Sequence, residues 1–168
     1  MWLNVFVRQS KYIGMANIAQ SVNVIAPLMT SPTGIVKQTT WWPWLLFCKY
    51  MRGHTVAVNV TSSEYEGPTK PDWIRTSIET PFLDVSAAIG DDGVVSLAVV
   101  NVHETRAIET RLDGLVSGAV DVYTVEGPSV SSINTAEKTE VGVRESKWDG
   151  KGPYTFPKAS LTILRWKA

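Results

Sequence analysis

The segment 37–53, KQTTWWPWLLFCKYMRG, marks the point at which the character of the sequence changes. Residues 41–52 predict a helix, because Pro43 falls in the first turn, where its missing N–H costs no hydrogen bond. Gly53 supplies a natural C-terminal stop. Beyond Gly53 the apolar residues fall in short β-branched runs instead of helical ones. This change of pattern predicts a boundary between two structural units.

The downstream unit, 54–168, has the pattern of a β-sandwich. Short β-branched runs alternate with turn signals, which is typical of a sandwich or jelly roll. The runs that predict strands are 54–60, 81–89, 94–102, 107–112, 119–125 and 159–166. The turn signals are Glu66-Gly67-Pro68, Asp91-Asp92-Gly93, Asp113-Gly114, Glu126-Gly127-Pro128 and Asp149-Gly150. We therefore predict a mainly β fold with a jelly-roll-like sandwich at its C-terminal end.

The upstream unit, 1–53, predicts the end of one helix, a strand, a long loop and a second helix. Residues 2–9 predict the helix end. Residues 12–18, YIGMANI, predict a buried parallel strand, since they are uncharged and place small side chains between large ones. Pro27 and Pro32 indicate a long irregular connection. This order is that of one βα unit with part of its predecessor.

Charge is distributed unevenly between the two units. The 16 Lys and Arg residues balance 16 Asp and Glu residues, so neither nucleic acid nor an anionic membrane surface is an expected partner. Every charged residue up to Gly53 is basic, and the first carboxylate is Glu64. No apolar run reaches the ~18 residues of a membrane span. His54 and His103 lack the spacing and company of metal ligands, so we predict neither a metal nor a cofactor.

Two stretches, MANIAQSVNVIAPLMT (15–30) and 37–53, resemble the last βα unit of the glycoside hydrolase family 51 α-L-arabinofuranosidases. Three later stretches, ETPFLDVSA (79–87), LAVVNVH (97–103) and YTFPKASLTILRW (154–166), resemble the C-terminal β-sandwich of that family. The resemblance covers nearly the whole chain, and it implies that 1–53 is the last helix–strand–helix piece of a (β/α)8 barrel with a jelly-roll domain packed beside it. It implies a retaining enzyme that removes terminal α-L-arabinofuranosyl residues from arabinose-containing polysaccharides and oligosaccharides.

The resemblance also implies that the catalytic residues lie outside this chain. The family's general acid/base and nucleophile are glutamates on barrel strands four and seven, and a whole barrel takes about 250 residues. The carboxylates of 54–168 fall mostly in turns, where we expect them to be solvated. We therefore expect no catalytic residue here, no hydrolysis by the chain alone, and a missing barrel portion as its partner. An alternative translation start, an incomplete gene prediction or a fragment would each produce such a chain.

Three residues are candidates for substrate binding: Gln38, Asn17 and Trp41. The resemblance implies that Gln38, in its Q-T motif, hydrogen-bonds the arabinofuranose in the −1 subsite, and an amide can both donate and accept. Asn17 lies at the end of the predicted strand, where it either lines the same pocket or bonds neighbouring backbone. Trp41 opens the predicted helix, and its indole either stacks on a sugar face or packs in the interior, as does that of Trp42.

A second interpretation of the chain stays open. A non-catalytic β-sandwich, acting as a structural or carbohydrate-binding module with an apolar appendage, would share the downstream pattern. The carboxylate-free unit 1–53 favours the hydrolase, because a free-standing module has no use for a lone βα unit. Cys48 is the single cysteine, which rules out an intrachain disulfide, and its apolar helix predicts a buried thiol. It favours the cytoplasm only slightly over secretion, and the localisation stays open.

Overall fold

The computed structural model describes residues 1–66, 79–114, 116 and 118–168, so the predicted turn at Gly67-Pro68 lies outside the described residues. The helices are α1 (Trp2–Arg8) and α2 (Trp41–Tyr50). The strands are β1 (Leu28–Ser31), β2 (Gly34–Lys37), β3 (His54–Val56), β4 (Glu64–Glu66), β5 (Glu79–Pro81), β6 (Leu83–Ile89), β7 (Val94–Asn101), β8 (Ile108–Thr110), β9 (Val120–Glu126), β10 (Gly142–Trp148), β11 (Tyr154–Phe156) and β12 (Ser160–Lys167). Neither described helix is long and apolar enough to span a bilayer.

Six strands form the main sheet, in the order β10-β9-β12-β7-β6-β3, and every pair in it is antiparallel. Strand β12 runs through the interior of this sheet, where Leu164 faces Leu97 on one side and Val122 on the other. Two-stranded ribbons, β8–β11 and β4–β5, and the β1–β2 hairpin complete the β structure of the described residues. The mainly β fold class is confirmed.

Both faces of the main sheet are buried along its inner strands β6, β7, β9 and β12, and successive residues of a strand point to opposite faces. In β12, Leu164 belongs to a core cluster that contains Phe156 of β11. The neighbouring Ile163 belongs to a second cluster that contains Leu46 and Phe47 of α2. The sheet is therefore a middle layer, with strand ribbons on one face and helices on the other. This arrangement explains why the apolar residues of these strands alternate only in part.

Helix α1 is attached to the main sheet through buried polar contacts. Asn4 is fully buried, and its Nδ2 donates to the main-chain oxygen of Asp84 at 2.8 Å and to Oδ2 of Asp84 at 2.9 Å. Its Oδ1 accepts a hydrogen bond from the Ser86 hydroxyl at 2.7 Å. Arg8 adds an ion pair with Asp84 at 2.8 Å. Because these buried groups are bonded to each other, they hold α1 in one position on β6.

Residues 12–18, predicted as a buried strand, form turns and irregular structure instead. Tyr12 is 77% exposed and Met15 is 78% exposed. A strand needs hydrogen-bonding neighbours, and the described residues place no strand beside 12–18. The strand prediction is wrong for this structure, because the apolar pattern of the segment does not find a partner within the described chain.

Two further expectations require correction. The connection after Pro27, expected to be irregular, contains the β1–β2 hairpin, in which Ser31 faces Gly34 across the turn. The thiol of Cys48, expected to be buried, is exposed. The reason is that α2 turns only part of its apolar surface to the sheet: Phe47 is buried, whereas Cys48 lies on the outer side of the helix.

Candidate functional site

Gln38 lies in the short link between β2 and α2, and its backbone is fixed at both of its polar groups. The Gln38 N–H donates to the oxygen of Pro27 at 2.8 Å, and the Gln38 oxygen accepts from the N–H of Trp41 at 3.0 Å. The side-chain Nε2 donates to the oxygen of Ala26 at 3.3 Å. Within the described part of the chain, the side-chain Oε1 makes no hydrogen bond. An amide held in this way keeps one donor and one acceptor for a ligand.

Asn17 lies in the irregular segment after α1, and its side chain is exposed. No contact among the described residues joins Asn17 to Gln38, so the structure does not bring these two candidates together. The prediction for Asn17 stays a prediction.

The loop between residues 20 and 26 has an unusual backbone. Gln20, Asn23 and Val24 have positive φ angles of 59°, 64° and 53°. Asparagine tolerates this region, but a β-branched valine adopts it at a steric cost. The Asn23 Oδ1 accepts hydrogen bonds from the N–H of Thr30 at 2.8 Å and from the Thr30 hydroxyl at 3.1 Å. The loop is thus fixed by its own asparagine, while Val24 and Ile25 are 75% and 66% exposed.

The two tryptophans that open α2 have different surroundings. Trp42 packs against the helix-side core cluster, and the Lys37 ammonium lies 5.4 Å from its ring centroid. Trp41 belongs to neither core cluster of the described residues. The indole Nε1 of each ring is buried and has no hydrogen-bond partner among the described residues. The packing alternative therefore fits Trp42, and Trp41 stays the candidate for contact with a sugar.

A groove of about 370 Å³ runs between the β1–β2 hairpin and the loop that precedes β10. Its walls include Thr33, Lys37, Trp42, Thr135 and Thr139, and none of the described residues that line it carries a carboxylate. Hydroxyl and ammonium groups suit a polar ligand, but they do not supply an acid and a nucleophile for glycoside cleavage. Among the described residues, no group of three or more His, Cys, Asp or Glu side chains is placed to hold a metal ion.

The arrangement described above has a counterpart in known proteins. The sequence profile described as the alpha-L-arabinofuranosidase C-terminal domain matches residues 1–160. The chain belongs to this family. The probable alpha-L-arabinofuranosidase C of Aspergillus flavus is 63% identical over 168 residues, which are 100% of this chain and 33% of that protein. The chain thus spans about a third of the length of the curated relatives it matches.

Solved structures of arabinofuranosidases contain the same fold. The GH51 α-L-arabinofuranosidase from Thermotoga petrophila is similar with a TM-score of 0.85 at 28% identity, over 98% of this chain and 36% of that one. The α-L-arabinofuranosidase from Thermotoga maritima, solved as an arabinose complex, has a TM-score of 0.84 at 26% identity, over 99% of this chain and 36% of that one. These findings confirm the resemblance to the C-terminal portion of family 51 enzymes.

One contact of this arabinofuranosidase domain was missed by sequence reasoning. The Asn134 Nδ2 donates to the oxygen of Lys37 at 2.8 Å and to that of Val141 at 2.8 Å. Its Oδ1 accepts from the N–H groups of Glu140 and Val141, each at 2.9 Å. Asn134 is therefore a bridge between the sandwich and the residue that precedes Gln38. In the sequence it is one asparagine among the polar residues of a loop, and no local signal distinguishes it.

The C-terminal end of α2 is fixed by aromatic and cationic contacts with the arabinofuranosidase sandwich. The rings of Tyr50 and Tyr123 have centroids 4.4 Å apart, and the Arg165 guanidinium lies 4.4 Å from the Tyr50 centroid. The hydrogen bond with Tyr50, together with burial, raises the pKa of Tyr123 to about 12. The same Tyr50 also forms a hydrogen bond with Lys49 that raises the pKa of its ammonium group. These contacts hold α2, and so the link at its N-terminal end, in one place on the sheet.

Proposed function

We propose that this chain acts as the C-terminal portion of an α-L-arabinofuranosidase, in which 1–53 packs with the remaining barrel and 54–168 forms the sandwich, with the boundary between the two units at Gly53. In that enzyme Gln38 binds the arabinofuranosyl group in the −1 subsite. The observation that carries the proposal is the fixation of Gln38, whose backbone is bonded at 2.8 and 3.0 Å while its side chain keeps free hydrogen-bonding capacity. The name of the Aspergillus flavus relative and the arabinose bound to the Thermotoga maritima enzyme support this choice of sugar.

The chemistry in such an enzyme is retaining glycoside hydrolysis by a pair of carboxyl groups about 5 Å apart. The part of the chain before Glu64 contains no Asp or Glu, and several of the carboxylates after it fall in predicted turns, so the proposal assigns the pair to another part of the enzyme. The contribution of this chain is to bind and orient the sugar. Holding the sugar in the reactive geometry lowers the entropic part of the activation barrier. Trp41 forms a wall of the subsite, and Asn17 lines it once the neighbouring barrel strands are present. Substrates are saccharides with terminal α-L-arabinofuranosyl groups.

The proposal is tested in a chimera in which residues 1–168 replace the matching third of the Aspergillus flavus enzyme. In this chimera, Gln38→Ala should lower kcat/KM for 4-nitrophenyl α-L-arabinofuranoside by roughly 10- to 100-fold, since about 1–3 kcal/mol of hydrogen bonding is lost. The melting temperature should change little, because Gln38 lies in a link and not in a core cluster. Gln9→Ala, at an exposed glutamine after α1, is the matched control and should keep the kinetics of the parent chimera.

Two results would overturn the proposal. The first is an unchanged kcat/KM in a well-folded Gln38→Ala chimera. The second is turnover by purified 1–168 alone that is abolished by replacing one of its own acidic residues. The alternative function, a free-standing carbohydrate-binding module, predicts instead that isolated 1–168 binds arabino-oligosaccharides in a calorimetric titration. The proposal expects no measurable binding there, because the isolated chain holds only one part of the subsite.

A further inference from the structure

The peptide unit that joins Lys37 to Gln38 is held from both sides. Its N–H, on Gln38, donates to the oxygen of Pro27 at 2.8 Å. Its carbonyl oxygen, on Lys37, accepts from the Nδ2 of Asn134 at 2.8 Å. A peptide unit is planar, so two hydrogen bonds to its opposite edges fix the orientation of the plane. The Gln38 carbonyl oxygen on the other side of the residue accepts from the N–H of Trp41 at 3.0 Å, so together these bonds restrict the direction in which the Gln38 side chain leaves the backbone.

The Asn134 side chain is itself held rigidly by the sandwich. Its Oδ1 accepts two main-chain N–H groups, from Glu140 and Val141, and its second Nδ2 hydrogen goes to the Val141 oxygen. Together with the bond to Lys37, these contacts use the full hydrogen-bonding capacity of the amide. Val141 is buried in the helix-side core cluster, so Asn134 is anchored to the interior of the protein.

We propose that Asn134 is a positioning residue of the arabinofuranosyl site, through which the sandwich sets the position of Gln38. The two bonded residues, Asn134 and Lys37, are 97 positions apart, so the contact joins the two units of the chain. This inference rests on the proposed function and deepens it, because it assigns the C-terminal sandwich a role in sugar binding. Loss of the bond frees the Lys37 carbonyl, and small displacements of a substrate-positioning group weaken binding and catalysis.

The sandwich offers a matched control in Asn101. Its Nδ2 also donates to two main-chain oxygens, those of Arg106 and Phe156, each at 3.1 Å. Its Oδ1 accepts from the N–H of His103 at 2.9 Å. Asn101 is 1% exposed and Asn134 is 8% exposed, so both are buried asparagines that fix a loop. The difference is that all of these partners of Asn101 lie within the sandwich.

The experiment compares Asn134→Asp with Asn101→Asp in the Aspergillus flavus chimera. The change keeps the size and the accepting oxygen of each side chain and removes the two N–H donors. Asn134→Asp should raise the inhibition constant of L-arabinose and the KM for 4-nitrophenyl α-L-arabinofuranoside by about tenfold. Asn101→Asp should lower the melting temperature and leave both constants within about twofold, since a purely structural loss does not alter the site of the molecules that remain folded.

The double variant Gln38→Ala/Asn134→Asp shows whether Asn134 acts through Gln38. If it does, the inhibition constant of the double variant should equal that of Gln38→Ala alone, because the second change has nothing left to displace. The inference would be overturned if the rise in the inhibition constant of the double variant equalled the product of the rises in the two single variants. An effect of Gln38→Ala without an effect of Asn134→Asp would overturn it too, and would leave the proposed function intact.

The remaining outcomes are equally decisive. No effect of Gln38→Ala would contradict the proposed function, and the inference would fall with it. Equal rises of the inhibition constant in the variants of Asn134 and Asn101 would show a general loosening of the sandwich and overturn the inference. If Asn134→Asp does not fold, Asn134→Ala replaces it, because this change places no carboxylate against the carbonyl oxygens. Failure of both variants to fold would make Asn134 a structural residue and would also overturn the inference.

Discussion

The main sheet and the segment 9–40 between the two helices differ in how far their apolar side chains are buried. In the sheet, Ile163 and Leu164 are 0% exposed, and each faces a core cluster built from the described residues. In the segment, Tyr12, Met15 and Val24 are 75–78% exposed. Apolar side chains exposed to this degree are available for contact with another surface, as a contiguous apolar patch would be. The comparison teaches that the inner strands of the sheet are covered by described residues of the same chain, whereas the segment exposes apolar side chains that the described residues do not cover.

The largest expected effect is on the free energy of unfolding, and it appears when a core position is compared with an exposed position. In the isolated chain, Leu164→Ala should lower the free energy of unfolding by roughly 2–5 kcal/mol, because it leaves a cavity between β12 and the ribbon strands. Ile25→Ala, at a position 66% exposed, should change it by less than about 0.5 kcal/mol. Urea unfolding followed by circular dichroism measures both. A cost at Ile25 as large as that at Leu164 would break the comparison.

The next effect concerns the polar attachment of α1. Asn4→Ala should lower the free energy of unfolding by about 1–3 kcal/mol, since it leaves the Asp84 oxygens and the Ser86 hydroxyl without their buried partner. Asn17→Ala, at an exposed asparagine of the segment, is the matched control and should have almost no effect. Thermal unfolding measures both variants, and the melting temperature of Asn4→Ala should be the lower of the two. Equal melting temperatures for both would mean that α1 does not depend on this cluster.

A smaller effect appears only at alkaline pH. The pKa of Tyr123 is raised to about 12 in the folded chain, mainly by its hydrogen bond with Tyr50. The ordinary value is about 10, so between pH 10 and 12 the unfolded state binds fewer protons than the folded state, and stability falls as the pH rises. Tyr123→Phe should flatten this decline in urea unfolding at pH 8, 10 and 11. Tyr12→Phe, at an exposed position of the segment, should keep the decline of the parent chain.

The smallest expected effect is at the surface of the sandwich. Arg111 and Asp113 form an ion pair of 2.8 Å, with side chains 79% and 75% exposed. Such a pair contributes about 0–1 kcal/mol, because water and salt screen it. Arg111→Ala should therefore shift the urea midpoint by less than Arg8→Ala, which removes a pair whose partner Asp84 is only 12% exposed. A larger shift for Arg111→Ala than for Arg8→Ala would contradict this ranking, because the exposed ion pair would then stabilise the fold more than the partly buried one.

The sequence predicts the sheet well where its strands are apolar on at least one face. The runs 94–102, 119–125 and 159–166 correspond to β7, β9 and β12, because both faces of these strands are buried. Strand β10 was missed, since its central residues are charged or polar and exposed. The run 12–18 shows the opposite error. Its pattern indicates a segment suited to burial, but a pattern cannot tell whether the covering surface belongs to the same chain.

The candidate site was less accessible to sequence reasoning. Gln38 came from a family resemblance, since nothing in its own spacing sets it apart from another loop glutamine. Trp41 and Trp42 are adjacent and chemically identical, and only their packing separates them. Asn134 depends on a contact that spans 97 positions, which no local pattern encodes.

Hydrogen–deuterium exchange of the same chain in two settings tests the central claim most directly. Peptides from β7 and β12 should be protected equally in isolated 1–168 and in the Aspergillus flavus chimera, because residues of the same chain cover both strands. Amides of residues 12–25 should exchange rapidly in the isolated chain and become protected in the chimera, because the proposed function expects the rest of the enzyme to cover them. Equal protection of 12–25 in both settings, in a chimera that hydrolyses 4-nitrophenyl α-L-arabinofuranoside, would contradict the account.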